Sequence, residues 1–79
     1  MTIKILGTGC PKCIKLEELA KRAVAELNVD ANVEKIADLD KIMSYGVMMT
    51  PGLVINEQVK SAGKLPSVDQ IKTWLQEEI

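Results

Sequence analysis

The chain has 79 residues, 47% of them apolar, and ten Lys and Arg against eleven Asp and Glu give a formal net charge of -1. That length predicts one domain, 1–79, with a small core and no room for a separate substrate domain. The interleaved charge lacks the basic footprint of a nucleic-acid or anionic-lipid partner, no apolar run approaches the roughly 20 residues that span a bilayer, and the absence of histidine removes Cys-His nucleophiles, His-containing zinc sites and imidazole acid–base chemistry.

Met1-Thr2-Ile3-Lys4-Ile5-Leu6 lacks the basic start, long apolar stretch and cleavage site of a secretory signal, so a cytoplasmic location is expected. Thr2–Leu6 alternates apolar or β-branched residues with Lys4 and predicts a strand that stops at Gly7-Thr8-Gly9. From Pro11 the period changes. Leu16, Leu19, Ala20, Ala23, Val24 and Leu27 fall on one helical stripe, with Lys15, Glu18, Arg22 and Glu26 mostly opposite. Glu17 with Lys21 and Glu18 with Arg22 stand four apart in the favourable order, a solvated face whose pairs contribute about 0.2–0.5 kcal/mol each.

Residues 28–32 punctuate the helix end, and Asn32–Ile36 reads as a second strand. A short helix is expected over about 38–45, with Asp38 as cap, Leu39 and Ile42 inward and Gly46 as a left-handed stop. Leu53-Val54-Ile55 is a short buried strand, Asn56-Glu57-Gln58 a turn, and 59–62 a returning strand, together a hairpin. Gly63-Lys64-Leu65-Pro66 breaks the chain. Ser67 and Gln70 then fit a capping box, and Val68, Ile71, Leu75 and Ile79 supply the stripe of a last helix. The order β-α-β-α-β-β-α places the chain in the α/β class. Two parallel-type crossovers followed by a hairpin and a closing helix predict a four-stranded mixed sheet with helices on both faces.

The chain's two cysteines stand in Cys10-Pro11-Lys12-Cys13, between the first strand and the first helix. In a reducing compartment such a pair is more often catalytic or metal-binding than a staple. Pro11 suits the first helical position, which makes Cys10 the cap. Unpaired N–H groups and the positive end of the helix dipole favour an anion there, so Cys10 is expected to ionise readily and attack, with Lys12 adding its charge. Cys13, one turn in and more covered by the sheet, is placed at the Cα separation of about 5.5 Å that a disulfide accepts, which suits a resolving thiol. Cys10 thiolate would attack a partner disulfide and Cys13 would then displace the reduced partner, leaving the two oxidised. Two soft thiolates also suit Cu(I) carriage, and a redox-switched binding module or two inert thiols are further readings of the same pair.

Gly7-Thr8-Gly9-Cys10, Cys10-Pro11-Lys12-Cys13 after a first strand, and Thr50-Pro51-Gly52-Leu53-Val54-Ile55-Asn56 before a hairpin and terminal helix resemble the thioredoxin-like superfamily. Within it the chain is similar, over essentially its whole length, to the small glutaredoxin-sized thioredoxins, or redox-active disulfide proteins, of archaea and bacteria. The resemblance implies a thioredoxin-like fold and a thiol-disulfide oxidoreductase in electron transport, exchanging disulfides with protein clients through Cys10 and Cys13. It also implies an upstream reductase of the thioredoxin-reductase type and no bound cofactor. Pro51 would follow a cis peptide and pack against the two sulfurs, the backbone of Thr50 would pair with an extended client segment, and Gly9, Pro11 and Lys12 would complete the substrate-binding rim.

Several residues depart from the pattern. Lys4 stands six residues before the first cysteine, where many thioredoxins carry a proton-relaying aspartate, and reads as a sheet-edge residue or a positive bias on the site. Gly9 replaces an aromatic residue. Gly63-Lys64-Leu65-Pro66-Ser67 stands where glutaredoxins carry a glycine pair followed by acidic residues, so specific glutathione binding is not expected. Heavy-metal-associated domains share a Cys-x-x-Cys after the first strand but end on a strand, whereas this chain ends on a helix, so no metal site is expected. Met48 and Met49 read as core fillers ahead of a soft docking rim, Trp74 as core or a weak oligomer contact, and Tyr45 as a packing anchor with a wet hydroxyl.

Overall fold

A computed structural model describes residues 1–9 and 11–78 of the chain. Its elements are β1 (Thr2–Leu6), α1 (Pro11–Leu27), β2 (Asn32–Ile36), α2 (Leu39–Ser44), β3 (Gly52–Ile55), β4 (Gln58–Ala62) and α3 (Val68–Glu77). The strands form one mixed sheet in the order β2-β1-β3-β4, with β1 parallel to β2 and antiparallel to β3. Period-two alternation along β1 divides the interior. Ile3 and Ile5 join Leu53 and Ile55 against Leu16, Ala20 and Ala23 of α1 and Ile71 and Leu75 of α3. Leu6 joins Val54 on the opposite face, against Ile42 and Val47. Helices therefore cover both faces, as expected.

The second crossover is not parallel. Gly52 pairs with Leu6 and Ile55 with Ile3, so β3 runs back along β1. A helix of six residues rises only about 9 Å, whereas a five-residue strand runs about 17 Å. Such a helix cannot return the chain along the sheet, and β3 starts at the end where β1 and β2 finish.

Local chemistry explains the boundaries. Asn28 takes a left-handed φ of 52° at the end of α1, a conformation asparagine tolerates well. The Asp38 side chain accepts from the Asp40 N–H at 2.9 Å, and Gly46, with φ 79°, ends the turn after α2. Ser67 Oγ accepts from the Gln70 N–H at 3.2 Å. Val68, Ile71 and Leu75 face the core as expected, and Ile79 lies outside the described residues. Leu39 does not turn inward: it is 61% exposed, because one and a half helical turns can present only one residue, Ile42, to the sheet.

The hairpin turn is tighter than expected, with Gln58 already in β4. Asn56 and Glu57 both have positive φ, 50° and 68°, the geometry of a two-residue turn matched to strand twist. Glutamate is an unfavourable residue there, and its side chain supplies compensation. Lys4 Nζ donates to Glu57 Oε1 at 2.5 Å and to the Tyr45 hydroxyl at 2.8 Å, and that hydroxyl donates to Glu57 Oε2 at 3.0 Å. Lys4 thus sits on a central strand, neutralised by a carboxylate, and ties the hairpin tip to the end of α2. It does not lie at the sheet edge.

The Lys4 hydrogen bond, followed by that of Tyr45, holds the Glu57 carboxyl below its ordinary value near 4.5. The Glu57 hydrogen bond, followed by that of Tyr45, raises Lys4 above its ordinary value of 10.5. The carboxylate's contribution is present above the unfolded pKa and lost as pH falls through the folded one, while the ammonium's is present below its unfolded pKa and lost only in strong alkali. Glu57→Gln should therefore lower the urea midpoint modestly at neutral pH, with the gap to wild type closing as pH falls below the ordinary carboxylate range. A gap unchanged in acid would contradict the pairing.

Candidate active site

The register of β1 with β3 sets the site. Because Leu6 pairs with Gly52, Gly7 and Pro51 leave the sheet at the same end. The Gly7 N–H donates to the Ile36 carbonyl at 2.9 Å, adding one bond to the β1–β2 ladder before the chain turns. Gly9 then takes φ 92°, open to glycine and strained for other residues, and α1 begins at Pro11. Pro11 lacks the N–H that a first helical residue cannot use, so its place at the start of α1 costs no helical bond.

Cys13 is buried, with 5% of its surface exposed. A Cβ built on Gly7 would overlap the Cys13 sulfur and stand 2.9 Å from Cys13 Cβ. The helix can approach the strand end this closely only because Gly7 has no side chain. A second close approach lies at Gly52, where an added Cβ would be 3.2 Å from Val47 and 3.3 Å from Leu6. The Thr50–Pro51 peptide is cis. Pro51 is fully buried, and its carbonyl accepts from the Gly63 N–H at 2.8 Å.

This geometry brings Cys13, Gly9, Pro11 and Lys12 to the sheet end at which Thr50 and Pro51 stand. Gly9, Pro11, Lys12 and Thr50 are exposed, whereas Cys13 and Pro51 are buried. Cys10, expected as the attacking sulfur, lies outside the described residues. The Thioredoxin domain family matches residues 1–76.

The chain belongs to the thioredoxin family. It is 43% identical over 75 residues to a thioredoxin of Methanocaldococcus jannaschii, covering 95% of this chain and 86% of that protein. It is also 43% identical over 75 residues to a thioredoxin of Methanothermobacter thermautotrophicus, covering 95% of this chain and 97% of that one. Family membership makes the chain a thioredoxin-like thiol-disulfide oxidoreductase.

Two features of this thioredoxin-like site were missed in the sequence reading. The first is the contact of Gly7 with Cys13, since the glycine read only as a turn residue. The second is Lys35. Ile5, Gly7, Gly9, Cys13, Ile14 and Lys35 line a cleft of about 20 Å³, room for about one water molecule. Lys35 Nζ lies 3.4 Å from Glu17 Oε1, so Glu17 pairs across to the sheet rather than with Lys21. Within α1, Lys15 lies 4.0 Å from Glu18 and Arg22 3.7 Å from Glu26, and Glu26 also pairs with Lys72 of α3 at 3.4 Å. The period-two pattern of β2 carried the signal: Lys35 is in register with Ile5 and hence on the face that α1 covers.

Met43, Met48 and Met49 are exposed rather than core, while Met1 packs against the main core. Met48 is 96% exposed, Met49 67% and Met43 69%, and a groove of about 300 Å³ beside Thr50 is lined by Leu39, Ile42, Met43, Val47 and Met48. A loop beside so short a helix has no second layer to cover it. Tyr45 anchors packing on the α2 side, with its hydroxyl bonded to Lys4 and Glu57. Trp74 packs partly against the main core.

Gly7→Ala should destabilise the protein by about 1–3 kcal/mol, the usual cost of overpacking a close contact, measured by urea unfolding of the reduced form. Full stability would contradict the packing of Cys13 against Gly7.

Proposed function

We propose that the chain is a single-domain cytoplasmic protein disulfide oxidoreductase of the thioredoxin/glutaredoxin-like kind, with Cys10 as nucleophile and Cys13 as resolving thiol. The observation that carries this reading is the burial of Cys13 against Gly7, three residues after Cys10 and one turn into α1. A buried thiol is a poor first nucleophile, because burial disfavours the thiolate. It is well suited to the second step, which is intramolecular. Cys10 directly precedes a helix of 17 residues, whose first-turn N–H groups and dipole favour a thiolate at that position.

The Cys10 thiolate attacks one sulfur of a client disulfide and expels the other as a thiolate. Cys13 then loses its proton and bonds to Cys10, and the client's remaining sulfur leaves with the electron pair and takes up a proton. The client is reduced by two electrons and the pair is oxidised. An upstream reductase of the thioredoxin-reductase type returns the pair to the dithiol. Thr50 aligns an extended client segment by backbone pairing, Pro51 shapes the floor, and Gly9, Pro11 and Lys12 form the rim around the sulfurs. The apolar groove from Leu39 to Met48 gives client side chains next to the disulfide a place to dock, and its methionines adapt to varied shapes. Among the described residues no helix is long and apolar enough to cross a membrane.

Reduction of insulin disulfides tests the reading. Cys10→Ser should lower the rate by more than about 100-fold, and Cys13→Ser should accumulate a covalent mixed disulfide with the client. Undiminished turnover by Cys10→Ser would overturn the assignment.

A further inference from the structure

Between the edge strand β4 and α3 lies a cavity of about 340 Å³, within the range of roughly 300–1,000 Å³ that holds small organic ligands. Lys60 and Ser61 of β4 form one side, Lys64 and Leu65 of the following loop the next, and Gln70 and Trp74 of α3 the third. None of these residues lines the cleft beside Cys13 or the methionine groove. Ser61 pairs with Leu53, which packs in the core under α3, so Ser61 shares the face that α3 covers. Gln70 and Trp74 stand four apart, one turn along the same side of the helix.

Two cations line this cavity and, among the described residues, no acid does. Lys60 is held from outside it by Glu78 at 3.5 Å, with its side chain 16% exposed. Lys64 is exposed and joins no ion pair among the described residues. Trp74 adds an aromatic wall with the exposed Leu65 beside it, and Ser61 and Gln70 supply neutral hydrogen-bonding groups. The strand of a second chain would fit poorly here. Leu53 and Val54 pair with Ser61 and Val59, which leaves Lys60 as the extra residue of a bulge, and a bulge and a lysine on an edge strand both oppose strand addition. A small ligand with a flat ring and a negative group matches the indole and the lysines together.

We infer that the cavity between β4 and α3 binds a small planar aromatic anion, its ring against Trp74 and its charged group at Lys64 and Lys60. The site goes beyond the redox reading and does not depend on it. Nucleoside monophosphates and aromatic carboxylates share this chemistry, and the two are separated by titrating one of each.

Trp74 is the chain's single tryptophan, so its fluorescence reports this site. Adenosine monophosphate or phenylacetate, added to the intact protein, should change that emission saturably, and the probe that responds distinguishes phosphate from carboxylate. Adenosine and inorganic phosphate, each offering half of the recognition, should bind at least about 10-fold more weakly than the monophosphate if that is the responding probe. Lys64→Gln should weaken binding about 5-fold, as loss of a partly solvated charge contact does. Gln70→Glu, which places an acid at the wall, should weaken it as well, whereas Gln76→Glu makes the same change of net charge on α3 outside the cavity and should leave it unaltered. Both variants change exposed residues of α3, and far-ultraviolet circular dichroism checks that they fold. No saturable change with either probe would overturn the inference. Equal weakening by Gln70→Glu and Gln76→Glu would also overturn it, because it would reduce the binding to general attraction by the protein's charge.

Discussion

The sulfur of Cys13 occupies the space that a side chain on Gly7 would fill, and the local architecture follows from that contact. It fixes how near the start of α1 comes to the end of β1. It buries one thiol of the pair while the chain has only just left the sheet. In the proposed exchange, two chemically identical groups three residues apart thereby take different work. The thiol under the helix is protected from solvent and penalised as an anion, and its predecessor sits where a helix begins and an anion is favoured. Burial of Cys13 is the asymmetry on which the proposed order of exchange rests.

The sheet keeps two sets of charges apart. Alternation along β1 sends Ile5 toward α1 and Lys4 toward α2. The lysine on the α2 side is consumed in closing the hairpin through Glu57 and Tyr45. On the α1 side, Lys35 of the neighbouring strand reaches the thiol cleft with its own carboxylate partner. The two lysines lie one strand apart, yet each is bound to a separate acid on a separate face. Removing one should leave the other's surroundings intact. Lys4 is thus a structural cation, while Lys35 of β2 lines the cleft beside Cys13.

Much of this was legible in the sequence, for identifiable reasons. The stripe from Leu16 to Ala23, the Ser67 and Gln70 cap, and the boundaries of β1 and β2 follow from local periodicity and side chains that bond their own backbone. What stayed hidden depends on distant partners. The direction of β3 is decided by the length of α2 against that of the sheet. Glu17 has Lys21 four residues away, yet pairs with Lys35, which only the folded sheet brings near. Leu39 and the paired methionines read as core because their hydropathy is visible, whereas the lack of a covering layer is a property of the whole fold. Gly7 looked like any turn glycine, since the sulfur it accommodates is six residues on. The cleft itself, with one wall from β2, has no local signature.

The most direct measurement is brief alkylation of the fully reduced protein by iodoacetamide at mildly acidic pH, with peptide mapping of each sulfur over time. The expected result is rapid modification of Cys10, with Cys13 protected until denaturant is added. Equal rates at both sulfurs, or earlier modification of Cys13, would contradict the division of labour that burial against Gly7 imposes.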